Sequence, residues 1–485
     1  MRACIVATRL ARSVGLSESE AAVVYYSTLL RSVGCTATSH EYAATFGGDD
    51  VTIRGAGDMA DPTDPREVVT LLWGVARGNA FQRVAGFAAS ATRAKAVTRE
   101  GARADCEVGA QMVRRLGLGP SVEQALLHMF ERWDGAGSPR KVEGDAIALP
   151  ARLAAVAYAW VMFDDAGGPD YARATITRWS GRALDPSLVD AVVAQGDDLV
   201  GPGLTGDPWQ EVVASEPGGP RELSPERLDD VARAFGDAAD LKSPFLHGHS
   251  SGVAGLAEAA ARAMGLPDTD VVAVRRAALL HDLGRVGVAT GIWEKPGPLN
   301  RAEWEHVRLH PYHTERILSR APAFAELAQT AGMHHERLDG SGYHRAAAAA
   351  TLDVPARVLA AADVFHALTE ARPHRAALTK REAARVLEGG HLDRDAVAAV
   401  IEAAGEIAAP RPAPFGLTKR ELQVLRLLAA GRTEKQIAAE LFISASTVHT
   451  HVVHVYGKAG VSTRAALAMF AMEHGLVRPG EEPDA

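Results

Sequence analysis

The chain has 485 residues, and at roughly 150 residues per domain this length allows about three domains and excludes a single small module. Hydrophobic residues make up 47% of the chain and charged residues 23%, which is ordinary globular composition and excludes a wholly disordered protein. The 52 basic and 60 acidic side chains give a formal charge of −8, so any nucleic-acid-binding part needs its own local positive charge.

Cysteine is scarce, and the three thiols cannot form a disulfide framework or a four-cysteine zinc site, which is typical of a reducing compartment. Histidine is far more frequent, with 18 residues. A bound metal would therefore be held by imidazole and carboxylate groups.

Two features predict a cytoplasmic protein without a membrane segment. Arg2, Arg9 and Arg12 interrupt the N-terminal stretch before an apolar run develops, which is unlike a secretory signal. The longest apolar run, Leu153 to Phe163, has 11 residues and is too short to cross a bilayer.

Helical periodicity dominates the whole chain. Val253, Leu256, Ala257, Ala260 and Met264 illustrate the 3.6-residue spacing, and alternating β-branched runs are nearly absent, so the predicted fold is all-α. Stretches rich in Gly and Pro predict two linkers. The predicted segments are 1–195, a linker at 196–221, 222–407, a linker at 408–416, a C-terminal module at 417–478 and an acidic tail at 479–485.

The first two segments resemble each other. Leu29–Gly34 resembles Leu279–Gly284 at an offset of 250, and Glu131–Gly137 resembles Glu336–Gly342 at an offset of 205. The offset of 205 recurs in a further block, so we interpret the segments as two copies of one helical fold. At the corresponding positions the first copy has lost nearly every side chain that could bind a metal; it has Arg31, Ser32, Asp105, Met129, Phe130 and Tyr158.

The second copy concentrates histidine and aspartate. The pair His281–Asp282 follows an apolar run, and a carboxylate buried there would be costly without a cation. Imidazole and carboxylate suit divalent ions such as Fe, Mn or Zn, and a carboxylate that bridges two ions would support phosphoryl transfer.

Ordered blocks of this copy resemble the HD-GYP subgroup of the HD phosphohydrolase superfamily, between about Phe245 and Leu387. They include the His281–Arg285 block, the glycine loop with Gly340, Gly342 and Tyr343, and the block ending at Asp363. The resemblance implies an all-helical fold, hydrolysis of cyclic di-GMP or a related nucleotide, and iron or manganese as cofactor. The ligands it implies are His249, His281, Asp282 as the bridge, His310, His334, His335 and Asp363.

Three positions depart from that family. The usual lysine is Arg285, which stays cationic and, with Asp282, is the predicted catalytic group. The proline after Gly342 and Tyr343 is His344, which puts the stiffness of the substrate loop in question. Phe245 stands where trinuclear members have glutamate, and this favours two ions over three.

The C-terminal module has the pattern of a helix-turn-helix. Four short helices are predicted: Thr418 and Glu421 form a capping box at the first, Thr433 opens the second, Ser444 caps the third, and the fourth starts near Thr463. The module has eight basic and four acidic residues, a local charge of +4 that suits binding to phosphates.

This module resembles the LuxR-type (GerE) DNA-binding domain. The resemblance implies that His449, Thr450 and Val453 face bases, whereas Thr447, His451 and Lys458 lie near the DNA backbone. His449 and Val453 are short for base contacts, so we expect base readout to be unusual or weak. Because such domains bind DNA as dimers, we expect a homodimer.

Two hypotheses stay open from the sequence. In the first, the protein is a transcription regulator whose HD-GYP part is an active phosphodiesterase. In the second, that part only senses a metal or a nucleotide, and Arg285 and His344 keep this alternative open. A pure hydrolase with an accessory helical tail fits the helix-turn-helix pattern least well.

Overall fold

The computed structural model of the chain describes residues 1–46, 49–75, 80–200, 207–219, 221, 223–406 and 415–477. No β-strand occurs in these ranges, so the all-α prediction is confirmed for them. The predicted linker at 408–416 and the acidic tail lie almost entirely outside the described residues.

The described residues before 225 form eleven α-helices. They are α1 Arg2–Ser13, α2 Glu18–Leu29, α3 Ser39–Phe46, α4 Asp50–Asp58, α5 Pro65–Val75, α6 Ala80–Leu116, α7 Pro120–Leu127, α8 Leu149–Gly167, α9 Pro169–Trp179, α10 Pro186–Val200 and α11 Pro208–Ala214.

Ten helices make up the following region. They are α12 Pro225–Asp240, α13 His249–Ala263, α14 Asp268–Leu280, α15 Thr290–Trp293, α16 Arg301–Arg308, α17 His310–Leu318, α18 Ala328–Gly332, α19 Val354–Leu368, α20 Lys380–Glu388 and α21 Arg394–Glu406. The C-terminal module adds α22 Lys419–Ala429, α23 Glu434–Glu440, α24 Ala445–Ala459 and α25 Arg464–Glu473.

The chain divides into two compact units that do not follow the predicted segments. One comprises Met1–Cys35 and Thr52–Ser224, and the other comprises Thr36–Val51 and the chain from Pro225 onward. In the second unit Lys242 Nζ lies 3.0 Å from Asp50 Oδ2, and both side chains are buried. Asp50 Oδ1 also accepts a hydrogen bond from the Thr290 backbone at 2.7 Å. A buried ion pair thus joins residues that are far apart in the sequence.

The predicted linker at 196–221 is not an extended segment over its described part. Helix α10 continues to Val200, and α11 begins after Asp207, whose carboxylate caps it. Val212 is buried, and its carbonyl accepts a hydrogen bond from the Tyr25 hydroxyl at 3.0 Å. The Gly-Pro pairs flank this short helix, which is why the composition alone indicated a loop.

Equivalent backbone approaches occur in both copies. A Cβ added to Gly34 would lie 2.0 Å from the Asp105 carbonyl oxygen, and one added to Gly284 would lie 2.0 Å from that of His310. The pairs Gly34–Gly284 and Asp105–His310 are those that the sequence offsets match.

The glycine loops also correspond. In the first copy the Glu131 carboxylate accepts a hydrogen bond from the Arg140 backbone at 2.6 Å, and in the second the Glu336 carboxylate accepts one from the Arg345 backbone at 2.7 Å. Both pairs obey the offset of 205, and both observations support the predicted duplication.

Helix ends position the candidate ligands of the second copy. Its core packs α13 against α14, α19 and α21 through a cluster that includes Val253, Val274 and Leu359. His249 begins α13, and His281 directly follows α14. Buried helix termini therefore converge beside this core.

The four predicted helices of the C-terminal module are present. The capping boxes at Thr418 and Thr433 and the cap at Ser444 all form, and Thr463 caps α25. All residues of α25 from Ala466 to Met472 are buried. A helix with successive buried residues must be covered on more than one side.

Residues 244–248 provide part of that cover. The His247 ring donates a hydrogen bond to the Ala429 carbonyl at 2.6 Å, and the Gly248 backbone contacts Met472 Sδ at 3.1 Å. Helix α12 packs against α25 as well. The C-terminal module therefore packs against the segment that immediately precedes His249 in the chain.

Among the described helices, none combines the length and the hydrophobicity that crossing a bilayer requires.

Replacing Gly284 with alanine should destabilise the second unit by about 2 kcal/mol, because the added methyl group overlaps backbone that cannot move freely. Thermal and urea unfolding followed by circular dichroism measure the effect. Gly255→Ala is the matched control: a Cβ there meets nothing within 4 Å, and alanine in a helix should stabilise by about 1 kcal/mol. Equal stability of the two variants would contradict the close approach at Gly284.

Candidate metal centre and DNA-binding helix

All seven predicted ligands lie together in the second unit. His249, His281, His310, His334, Asp282 and Asp363 are buried, and His335 is partly buried. Their donor atoms form overlapping groups in which all the atoms lie within 4.8 Å of one another. Residues separated by more than 100 positions in the sequence thus share one site.

Three of the histidines are oriented by the same contact. The Nδ1 of His281, His310 and His334 donates to the carbonyl three residues earlier, at 2.7, 2.6 and 2.6 Å respectively. These carbonyls belong to the last turns of α14, α16 and α18, where helical carbonyls lack partners within the helix. The bonds fix the tautomer and direct each Nε2 to the centre of the site.

Asp282 lies between two groups of imidazoles. Its Oδ2 is 3.2 Å from His281 Nε2 and 3.6 Å from His249 Nε2. Its Oδ1 is 3.3 Å from His310 Nε2 and 3.6 Å from His334 Nε2. Each carboxylate oxygen therefore faces its own pair of nitrogens.

Asp363 completes the first group. Its Oδ1 is 3.3 Å from His249 Nε2 and 3.7 Å from His281 Nε2, and its Oδ2 is 3.6 Å from His335 Nδ1.

The donor set fits divalent metal ions. Both oxygens of Asp282 and the Nε2 atoms of His249 and His281 are buried and lack a hydrogen bond of good geometry among the described residues, although Arg285 Nε lies 2.8 Å from Asp282 Oδ2. Buried polar atoms normally have partners, and the exceptions call for an explanation such as a bound ion. Imidazole nitrogen and carboxylate oxygen are ligands for zinc, iron or manganese.

The electrostatic field of the site favours positive charge. Burial opposes protonation, yet Glu370 and Asp363 raise the pKa of His249 to about 9, and Asp282 and Asp363 raise the pKa of His281 to about 10. Burial and His281 lower the pKa of His334 to about 3. The carboxylates thus attract a cation, while His334 stays neutral as a metal ligand must be.

Arg285 is held against Asp282. Its Nε lies 2.8 Å from Asp282 Oδ2, and its guanidinium carbon lies 4.7 Å from the centre of the Trp293 ring. That ring in turn contacts His310 edge-on at 5.4 Å. Trp293 was not among the predicted site residues, because no local pattern connects it with Arg285.

The predicted substrate loop borders the cluster. The Tyr343 ring lies 4.7 Å from the His335 ring, and Gly340 has a positive φ of 76°. A Cβ at Gly342 would lie 2.4 Å from the Glu336 backbone. The Glu336 carboxylate holds the loop through the backbone of Arg345 and Ala347, which are both hydrogen-bonded to it. The loop is fixed by this carboxylate although the family's proline is missing.

Sequence reasoning missed Glu370 as well. This buried carboxylate accepts a hydrogen bond from His249 Nδ1 at 2.9 Å. His366 and Arg372 lie beside it, 3.4 and 2.6 Å away. Asp363 and His366 share a face of α19, but Glu370 lies beyond the end of that helix at Leu368, so helical spacing alone did not identify it.

The corresponding place in the first copy is built differently. The Arg31 guanidinium lies 3.8 Å from the Tyr158 ring centre and 5.4 Å from that of Phe130. The Tyr158 hydroxyl donates to Asp58 at 2.6 Å, and Met129 is part of the core. Among the described residues of this copy, no three histidine, cysteine or acidic side chains form a comparable cluster.

Helix α24 exposes most of the predicted DNA-binding residues. Val448, Val452 and Val455 are buried in the module, and they leave the opposite face free. Thr447, His449, Thr450 and Val453 are exposed there, whereas His451 is half-buried.

Lys458 has a role inside the module. Its Nζ lies 2.6 Å from Glu421 Oε2 and donates to the Gly416 carbonyl at 2.8 Å. The ammonium group and the Thr418 backbone lower the pKa of Glu421 to about 2. Since this pair ties α24 to the start of α22, the charge of Lys458 is not free in the way that the sequence suggested.

Comparison with known proteins identifies a family for the helical copies and another for the C-terminal module. The HD domain family matches residues 88–187 and 233–395, and the family described as bacterial regulatory proteins of the luxR type (GerE) matches residues 416–471. The 3'3'-cGAMP-specific phosphodiesterase 3 of Vibrio cholerae is 31% identical over 393 residues, which are 80% of this chain and 85% of that protein.

A solved structure supports the assignment of the HD domain, and a second relative supports that of the C-terminal domain. The crystal structure of a cyclic GMP-AMP specific phosphodiesterase of V. cholerae matches with a TM-score of 0.55 and 27% identity, over 84% of this chain and 92% of that chain. The transcriptional regulatory protein LiaR of Bacillus subtilis is 45% identical over 73 residues, which are 15% of this chain and 33% of that protein. The chain therefore belongs to the HD-domain family of metal-dependent phosphohydrolases and carries a LuxR-type (GerE) domain at its C-terminal end.

Proposed function

We propose that the second copy is a phosphodiesterase that hydrolyses a cyclic dinucleotide, cyclic di-GMP or 3'3'-cGAMP, with two iron or manganese ions. The observation that carries the proposal is the position of Asp282, whose two oxygens face separate pairs of histidines. The name of the Vibrio relative supports a cyclic dinucleotide as substrate.

The residues would divide between two ions. His249, His281 and Asp363 would hold one ion, His310, His334 and His335 would hold the other, and Asp282 would contribute to both. When bound, such ions lower the pKa of water and stabilise charge on phosphoryl oxygens. Arg285 adds a fixed positive charge beside Asp282, and the loop with Gly340, Gly342 and Tyr343 borders the place where a nucleotide would lie.

The double variant His281→Ala/Asp282→Ala should lose hydrolysis of both cyclic dinucleotides by at least about a hundredfold, because it removes the bridging carboxylate and one imidazole. Purified full-length protein is assayed with Mn²⁺ or Fe²⁺, and the linear product is measured by chromatography.

The matched control is Arg31→Ala/Ser32→Ala, at the corresponding positions of the first copy. Its activity should stay within about twofold of wild type, and circular dichroism checks that both variants are folded. Hydrolysis at the wild-type rate by His281→Ala/Asp282→Ala would refute the proposal.

We further propose that the GerE domain binds DNA through the exposed face of α24, with Thr447, His449, Thr450, His451 and Val453 at the DNA. Lys458 would act there through its support of α22 and α24. A homodimer on DNA is proposed from the resemblance to the LuxR family, and sedimentation of the DNA complex checks it.

Val453→Glu should weaken binding to duplex DNA about tenfold, because it places a negative charge against the phosphates. Val386→Glu on α20 is the matched control, since the two valines are 54% and 50% exposed. Fluorescence anisotropy at several salt concentrations measures the affinity. Wild-type binding that does not fall with rising salt, or equal affinity of both variants, would contradict the proposal.

One observation favours the alternative in which the metal site serves as a sensor. The GerE domain rests on residues 244–248, and the next residue, His249, is a proposed ligand. A change in the position of His249 can therefore shift residues 247 and 248, which contact the DNA-binding domain. This reading requires metal binding but no turnover.

If the metal site is a sensor, Mn²⁺ should change the DNA affinity of the wild-type protein by at least about threefold. DNA should change the Mn²⁺ affinity by the same factor. His281→Ala/Asp282→Ala controls for direct effects of Mn²⁺ on DNA and should show no such change. A metal effect of equal size in both proteins would rule out the sensor.

A further inference from the structure

His249 differs from the other oriented histidines in its hydrogen-bond acceptor. His281, His310 and His334 each use a carbonyl from the last turn of a helix. His249 follows a loop, and the carbonyl three residues earlier, Leu246 O, already accepts the His249 backbone N–H at 2.8 Å. The ring takes its acceptor from elsewhere in the fold.

Glu370 supplies that acceptor. It is 4% exposed, and its Oε2 accepts the proton of His249 Nδ1 at 2.9 Å. With Nδ1 fixed in this way, the opposite nitrogen of the ring faces Asp363 at 3.3 Å and Asp282 at 3.6 Å. A carboxylate behind a ligating imidazole fixes the ring and makes its free nitrogen a better ligand.

Two side chains, Arg372 and His366, hold Glu370 itself. Arg372 Nη2 donates to Glu370 Oε2 at 2.6 Å, and Arg372 Nη1 donates to the carbonyl of Phe245 at 2.8 Å. His366 Nδ1 lies 3.4 Å from Glu370 Oε1. The carboxylate is thus anchored from both sides and cannot turn away from His249 without losing these contacts.

A different role for the same residues is a third metal site, since His249, His366 and Glu370 form a cluster of possible ligands. Two observations oppose it. The guanidinium of Arg372 already contacts the oxygen that would face an ion, and His249 cannot direct Nδ1 to that ion while donating this proton to Glu370.

We propose that Glu370 is a positioning residue for His249 and not a ligand of a third ion. This inference rests on the proposed metal centre, which contains His249. Position 245 is a phenylalanine and has no carboxylate. Glu370, beyond the end of α19, supplies one, and it binds the His249 ring instead of a metal.

The test measures Mn²⁺ affinity and stoichiometry of the full-length protein by equilibrium dialysis with metal analysis, without reference to turnover. Glu370→Ala should weaken Mn²⁺ binding about 10- to 100-fold. Glu370→Gln, whose amide oxygen can still accept the Nδ1 proton, should recover part of that loss. At saturating Mn²⁺ all three proteins should bind the same number of ions.

Asp393→Asn is the matched control, because Asp393 also pairs with an arginine, Arg357 at 3.0 Å, but does not contact the cluster. Its Mn²⁺ affinity should equal that of wild type. Loss of one ion per chain in Glu370→Ala would overturn the inference in favour of a ligand, and unchanged affinity in that variant would overturn it outright. A wild-type protein that binds no Mn²⁺ would refute the metal centre itself and this inference with it.

Discussion

The second copy is organised around two buried carboxylates, Asp282 and Asp363, which lie among imidazoles in a largely apolar helical domain. Carboxylates in such surroundings require compensating positive charge. Arg285 supplies one cation, and the field of the carboxylates attracts further positive charge at His249 and His281. The arrangement of the surrounding helices follows from this requirement, because their ends supply the carbonyl oxygens that orient three of the histidines.

The first copy fills the corresponding place without a cluster of metal ligands. Arg31 occupies the position that matches His281, and its guanidinium is covered by Tyr158 and Phe130. A covalently attached cation on aromatic rings needs no metal ligands. The backbone contact of Gly34 with Asp105 nevertheless persists, so the scaffold is retained where the chemistry is not.

The GerE domain shares the second compact unit with this centre. Its helix α25 is buried from Ala466 to Met472, and residues 244–248 and α12 contribute to the cover, while α24 keeps its polar face exposed. The contact surface and the DNA-binding face are therefore different sides of the module. Because Gly248 directly precedes His249, residues 244–248, which contact the GerE domain, are continuous with the metal centre.

Local sequence determined much of this protein. The caps at Thr418, Thr433, Ser444 and Thr463 formed where the sequence predicted them, because a cap depends on residues within one helical turn. The resemblance to the HD-GYP subgroup implied which seven side chains would meet, and the constant offsets identified equivalent glycines in the two copies.

Only the tertiary structure decided the contacts between distant segments. The hydrogen bond from His249 to Glu370 and the burial of Asp50 against Lys242 each join residues that no periodicity relates. Lys458 has the charge of a phosphate contact in the sequence, yet in the fold it pairs with Glu421. The physical reason is that helix formation and capping are local, whereas the partner of a buried charge is chosen by whichever group the packing of distant helices brings within hydrogen-bonding distance.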